Sequence, residues 1–84
     1  MAELTSMRNI GKEMENKLKS IDVHTAEDLT NLGAKDAFLR LKLHHPNICL
    51  VHLYVLQGAI DDIDYNHLTE DVKADLKNFS DELK

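Results

Sequence analysis

Two stretches of the chain open with nearly the same three residues: NIGKEMENKL at Asn9–Leu18 and NLGAKDAFLRL at Asn31–Leu41. Each begins with asparagine, an apolar residue and glycine, and each continues with apolar residues at helical spacing. Glycine there permits a positive φ or the close approach of another segment, and asparagine is the next most tolerant residue for the left-handed region. The repeated phrase therefore predicts two tight turns between helices, one at Gly11 and one at Gly33.

Apolar residues recur at steps of three and four over almost the whole chain, which is the spacing of amphipathic helices. One such stripe runs from Met7 to Ile21 and another from Val72 to Leu83. No segment alternates with period two for long enough to predict a strand. A length of 84 residues fits one domain. We expect an all-α fold, a compact five-helix single domain over residues 1–84 of helix-hairpin-helix or SAM-domain-like type.

Capping residues and helix breakers set the expected helix bounds. Thr25 and Thr69 are expected N-caps, because a hydroxyl accepts hydrogen bonds from the first free backbone N–H groups of a helix. Asn47 is expected to cap the fourth helix, and Gly33 and Pro46 are expected to end the second and third. The expected helices are 12–20, 26–32, 34–44, 48–61 and 70–83.

The fourth expected helix has almost no polar face. A helix that is apolar all round favours burial on all sides, so we expect it at the centre of the domain or partly against a second chain. Gly58 within it indicates a point where another helix passes close. Cys49 is expected to be a small buried hydrophobic residue.

Charge is distributed unevenly along the chain. The formal net charge is −5, and all of it falls in residues 46–84, because the Lys/Arg and Asp/Glu residues of 1–45 balance. An acidic balance lowers the expectation of nucleic-acid binding without excluding a local basic patch.

The two glycine turns are nevertheless the best candidates for a phosphate contact. Helix-hairpin-helix turns present backbone N–H groups to the phosphates of nucleic acid. Neither Arg8 nor Lys35 has an acid three or four residues away, whereas the Glu13–Lys17, Glu15–Lys19 and Asp36–Arg40 pairs are expected to neutralise one another. The candidate nucleic-acid-binding residues are Arg8, Asn9, Gly11, Lys12, Asn31, Gly33 and Lys35. The alternative is two ordinary glycine-capped turns with no ligand.

Four segments together are typical of one family: LTSMRNIG at Leu4–Gly11, HTAEDLTNLGA at His24–Ala34, LYVLQGA at Leu53–Ala59 and YNHL at Tyr65–Leu68. In their order and spacing the chain resembles, over about residues 4–79, the C-terminal domain of the TfoX (Sxy) family of bacterial competence regulators. The resemblance implies a helical, helix-hairpin-helix-like domain linked to transcriptional regulation of DNA uptake, with no catalytic residues. Longer members of the family carry an N-terminal α/β domain, and this chain is expected to be a stand-alone copy of the C-terminal one. It departs from the pattern at Asp22, where glycine is expected, and at Tyr65, where tryptophan is common.

Other chemistry is not expected. His44, His45, Cys49 and His52 offer nitrogen and sulfur ligands, but Pro46 separates the first two from the others. No metal or cofactor is therefore predicted. No enzymatic activity is predicted either, because an 84-residue helical domain offers little room for a substrate pocket. The expected partners are DNA, bound weakly and without sequence preference, or another protein, with the chain a monomer or a homodimer. The lack of a membrane-length apolar stretch and the single cysteine favour a cytoplasmic protein.

Overall fold

Five α-helices form in the order that the sequence predicts. In the computed structural model, which describes residues 2–83, they are α1 (Lys12–Lys19), α2 (Ala26–Leu32), α3 (Ala34–His44), α4 (Leu50–Asp61) and α5 (Glu70–Glu82). Two short 3-10 turns, Leu4–Ser6 and Tyr65–His67, precede α1 and α5. Residues 2–83 contain no strand, only an isolated bridge between Glu3 and Thr25. The all-α, five-helix prediction is confirmed.

The threonine caps and the glycine stop lie where the sequence places them. The Thr25 hydroxyl accepts a hydrogen bond from the Asp28 N–H at 3.1 Å, and the Thr69 hydroxyl accepts one from the Val72 N–H at 3.3 Å. Each such cap stabilises its helix by about 1 kcal/mol. Gly33 ends α2 with a φ of 91°.

The start of α4 differs from the prediction. The helix begins at Leu50 with Cys49 as its N-cap residue, so the expected cap at Asn47 is wrong. The Cys49 N–H donates to the Nδ1 atom of His52 at 3.0 Å. Ile48 instead belongs to the buried core, where it anchors the loop. Cys49 is exposed, which also overturns the expectation that it is buried.

A single hydrophobic core draws residues from all five helices and from the first 3-10 turn. Its largest fully buried side chains are Phe38, Leu4, Leu18, Leu29, Leu41, Leu53, Leu56 and Leu76. Burial of each stabilises the fold by about 2 kcal/mol relative to exposure. Helix α4 contributes two of them and contacts both α3 and α5, as expected for a central helix. The expected burial on all sides is not complete, because only Leu53, Leu56, Gly58 and Ala59 of α4 are buried and Val51 near its start is 50% exposed.

Gly58 marks a close approach, as predicted, but the neighbour is not a helix. A Cβ atom at Gly58 would lie 2.5 Å from the Asn9 side-chain nitrogen and 2.5 Å from the Ile63 carbonyl oxygen. Both atoms belong to turns, one before α1 and one between α4 and α5. The missing side chain therefore lets the Asn9 turn lie directly against α4.

Candidate nucleic-acid interface

Asn9, not Gly11, takes the left-handed conformation in the first turn. Its φ is 72°, whereas Gly11 has φ −97° and ψ −177°, an extended conformation open to any residue. The Asn9 amide donates to the Ile63 carbonyl at 3.0 Å, and its Oδ1 accepts from the Tyr65 N–H at 3.4 Å. The Asn9 side chain thus fastens this turn to the α4–α5 connection.

The start of α1 leaves backbone donors exposed. Gly11 is its N-cap residue and has no side chain to accept from the first turn, unlike Thr25 and Thr69 at the starts of α2 and α5. The first intrahelical bond of α1 runs from the Glu15 N–H to the Gly11 carbonyl. The N–H groups of residues 12–14 therefore have no acceptor within the described chain. Such groups, with the positive end of the helix dipole, favour an anion.

Lys12 is the candidate cation that remains unpaired. It is exposed, and it makes no ion pair within residues 2–83. Lys12 borders an open pocket of about 490 Å³ that Lys19 and His24 also line, together with Glu3 and Glu15. Sequence reasoning missed Lys19 and His24 as neighbours of Lys12. The signal for Lys19 was present, because it lies seven positions after Lys12 and therefore on the same helix face. The pocket has mixed charge.

Arg8 and Lys35 are paired with acids from the far half of the chain. The Arg8 guanidinium Nε lies 3.4 Å from an Asp62 carboxylate oxygen, and the Lys35 amine lies 2.9 Å from Asp75. The Lys35 amine also lies 5.3 Å from the centre of the Phe79 ring. Sequence spacing indicated that both cations were unpaired, because it surveys only neighbours on the same helix.

The charge pairs expected along single helices form only in part. The Glu13–Lys17 and Glu15–Lys19 pairs are present at 3.0 and 3.8 Å. No ion pair joins Asp36 and Arg40, which makes Arg40 a further cation without a partner in the described chain. The Lys17 amine, through its hydrogen bond and its charge, holds the pKa of Glu13 below its ordinary value. The Glu13 side chain in the first turn of α1 therefore stays ionised to a lower pH than an ordinary glutamate does.

The second turn is built differently from the first. Gly33 has the positive φ, and its N–H donates to the Leu29 carbonyl at 2.9 Å. Asn31 lies inside α2 and is exposed, so it takes no part in the turn. Helix α3 also lacks a side-chain N-cap. Of the two glycine turns, only the one at Gly33 joins two α-helices. The expectation of an α-helix on both sides of Gly11 is wrong, because the segment before Gly11 forms only a three-residue 3-10 turn.

The candidate residues thus divide into four groups. Gly11 and Lys12 present unpaired donors and charge, while Arg8 and Lys35 hold aspartates at the surface. Asn9 and Asn31 do not face a shared ligand site: the first is a structural anchor and the second is a helix residue. Gly33 serves the α2–α3 connection.

Other kinds of site are not formed by the described residues. Within 2–83, no group of three or more His, Cys, Asp or Glu side chains is placed to hold a metal ion. No helix in that part of the chain is long and apolar enough to cross a bilayer.

Fold and site together define a small helical domain with two uncapped helix starts, after Gly11 and after Gly33. The model of the TfoX C-terminal domain family matches residues 1–80. The chain belongs to this family.

Solved structures of high similarity come from Listeria monocytogenes. An uncharacterised protein in a triclinic crystal form is 36% identical with a TM-score of 0.94, over 98% of this chain and 93% of that one. A protein of unknown function in a tetragonal form is 35% identical with a TM-score of 0.94, over 98% of this chain and 100% of that one. No curated protein matches the chain significantly. Neither the family nor these relatives give a sign of catalysis.

Proposed function

We propose that the chain is a non-enzymatic regulatory module that binds the phosphate backbone of nucleic acid at the start of α1. The observation that carries this proposal is the uncapped first turn after Gly11 beside the unpaired amine of Lys12. The role linked to the family is regulation of competence, which is the uptake of DNA, and it agrees with a nucleic-acid ligand. We propose a cytoplasmic location as part of the same function.

Arg8 adds to this contact only if it leaves Asp62. The side chains of both residues are more than half exposed, at 52% and 84%. Exposed ion pairs of this kind contribute about 0–1 kcal/mol, so an incoming phosphate can replace the carboxylate at small cost. The same argument applies to the pair of Lys35, at the start of α3, and Asp75 of α5. Their side chains are 43% and 66% exposed. Both aspartates therefore compete with phosphate for the two cations and weaken the binding of nucleic acid.

The expected binding is weak and sensitive to salt. With two phosphates neutralised, the affinity for duplex DNA should fall about sevenfold when the salt concentration rises threefold. No basic recognition helix or stacking platform lies at the Gly11 turn, so we expect no sequence preference.

Fluorescence anisotropy with short labelled duplex and single-stranded DNA, at low and moderate salt, tests the proposal. Lys12→Glu should weaken binding by about fivefold to tenfold. The matched control is Lys73→Glu on α5, which makes the same charge change at another lysine without an ion pair in the described chain. Equal losses in both variants would indicate a general charge effect and contradict a site at α1, and no binding at low salt would exclude the function.

A protein-binding module without nucleic-acid contact is the second candidate. A specific observation favours it: α3 and α5 border an open groove of about 390 Å³ lined by Leu39, Lys42, Leu43 and Leu83. Leu43 is 82% exposed. Water-exposed leucines grouped on one groove are typical of protein contacts.

A further inference from the structure

A groove lies between α3 and α5 and is lined by residues near the ends of both helices. They run in the same direction, since Lys35 near the start of α3 pairs with Asp75 of α5, while Leu43 at the other end shares the groove with Leu83. The Lys35–Asp75 pair joins the two helices about two turns before the groove.

No second ion pair joins the two helices beside the groove within residues 2–83. Lys42 and Glu82 lie seven residues after Lys35 and Asp75, so each lies on the same face of its helix two turns further on. The Lys42 amine instead approaches the Ile48 carbonyl at 3.4 Å and the Phe38 ring. The Glu82 carboxylate has no ion pair within residues 2–83.

Charges of opposite sign lie next to the leucines that line the groove on its two sides. Arg40 lies three residues before Leu43, which makes the two side chains neighbours on the surface of α3. Its guanidinium has no ion pair in the described chain. Across the groove, Glu82 precedes Leu83 at the end of α5. A cation stands beside one exposed leucine and an anion beside the other.

We propose that the occupant of this groove is a second copy of the chain, docked about a two-fold axis; this rests on the protein-binding candidate above. A two-fold interface repeats each contact in both directions, so it requires a self-complementary surface. The α3 side of one copy lies on the α5 side of the other. Leu43 packs against Leu83 of the second copy, and Arg40 pairs with its Glu82, each contact occurring twice.

Only a few residues of each copy meet in this arrangement, so we expect a weak dimer. We expect a dissociation constant of about 10–100 µM, as for a transient interface. Sedimentation velocity over a concentration series that spans this range should show the weight-average sedimentation coefficient rising from that of the monomer toward that of the dimer.

Leu43→Lys should weaken the dimer by about tenfold or more, because a charge would enter the apolar centre of the interface. Since Leu43 is exposed, the substitution should leave the monomer folded, which circular dichroism checks. The matched control is Val51→Lys, at a residue that is 50% exposed but does not line the groove. Equal weakening in both variants, or a wild-type chain that stays monomeric throughout, overturns the inference.

Charge reversal tests the two-fold arrangement itself. Arg40→Glu and Glu82→Arg should each abolish self-association, because like charges then face each other twice. A mixture of the two variants should form a heterodimer, because both contacts then pair opposite charges. Failure of the mixture to associate, while each variant is monomeric, overturns the two-fold arrangement.

A photo-crosslinker in place of Leu43 separates this inference from the proposed protein-binding function. We expect crosslinking in expressing cells to give a product of twice the chain mass, lost on adding Leu83→Lys. A crosslink only to a different protein overturns the second copy but leaves the protein-binding candidate standing. The absence of any crosslink overturns both.

Discussion

Gly58→Ala is expected to destabilise the fold by about 2 kcal/mol, although alanine is the better helix former. The added methyl group would lie 2.5 Å from the Ile63 carbonyl oxygen, which is backbone, and 2.5 Å from the Asn9 amide. Overpacking of this kind costs about 1–3 kcal/mol, and displacing the Asn9–Ile63 hydrogen bond costs about 1 kcal/mol more. The helix propensity of alanine offsets about 1 kcal/mol.

Thermal unfolding followed by far-UV circular dichroism measures this effect. For a domain of this size, 2 kcal/mol corresponds to a decrease in Tm of about 8–16 °C. Gly11→Ala is the control, because a Cβ atom there meets nothing within 4 Å and φ is −97°. The reduced entropy of its unfolded chain and its poorer N-cap should leave stability within about 0.5 kcal/mol of wild type. A Gly58→Ala protein as stable as wild type would refute the close-packing argument.

Three further predictions concern single sites. Gly33→Ala should lower the free energy of unfolding by about 1–2 kcal/mol, because a φ of 91° is strained for alanine; denaturation in urea measures it, and an unchanged midpoint would contradict the strain. Thr25→Ala should cost about 1 kcal/mol through loss of the α2 cap, whereas Thr25→Ser should restore most of it. The Glu13 carboxyl should titrate below its ordinary pKa, so its contribution to stability is present above that pKa and is lost as the pH falls through the lowered one. A carbon-detected NMR titration should show the Glu13 midpoint returning toward its ordinary value in Lys17→Met, and an unmoved midpoint would exclude Lys17 as the cause.

Local signals in the sequence were sufficient for most helix bounds. The threonines at 25 and 69 and the glycine at 33 act through atoms within four residues of themselves, so their roles follow from the chain alone. The start of α4 could not be located this way, because burial of Ile48 in the tertiary core displaces the helix start beyond Asn47.

The candidate site was less predictable because its partners come from distant segments. Arg8 meets Asp62 across 54 residues of sequence, and Asn9 reaches Ile63 over the same separation. Periodicity has no access to such contacts. It therefore assigned Arg8 as an unpaired cation, and it left open which residue of the turn at Asn9–Gly11 takes the left-handed conformation.

The repeated Asn–apolar–Gly phrase has two different structural meanings. In the first copy the asparagine is left-handed and the glycine is extended, whereas in the second the asparagine is helical and the glycine has the positive φ. What the two copies share is a following helix without a side-chain cap. That shared feature, rather than a shared turn, is the basis of the proposed phosphate contact.

Amide chemical shifts recorded while short duplex DNA is added at low salt test the central claim most directly. Phosphate binding at the start of α1 predicts the largest shift changes at the amides of Gly11, Lys12 and Glu13, with their reversal as salt is added. Changes spread evenly over the surface, or centred on α5, would contradict a site at this helix start.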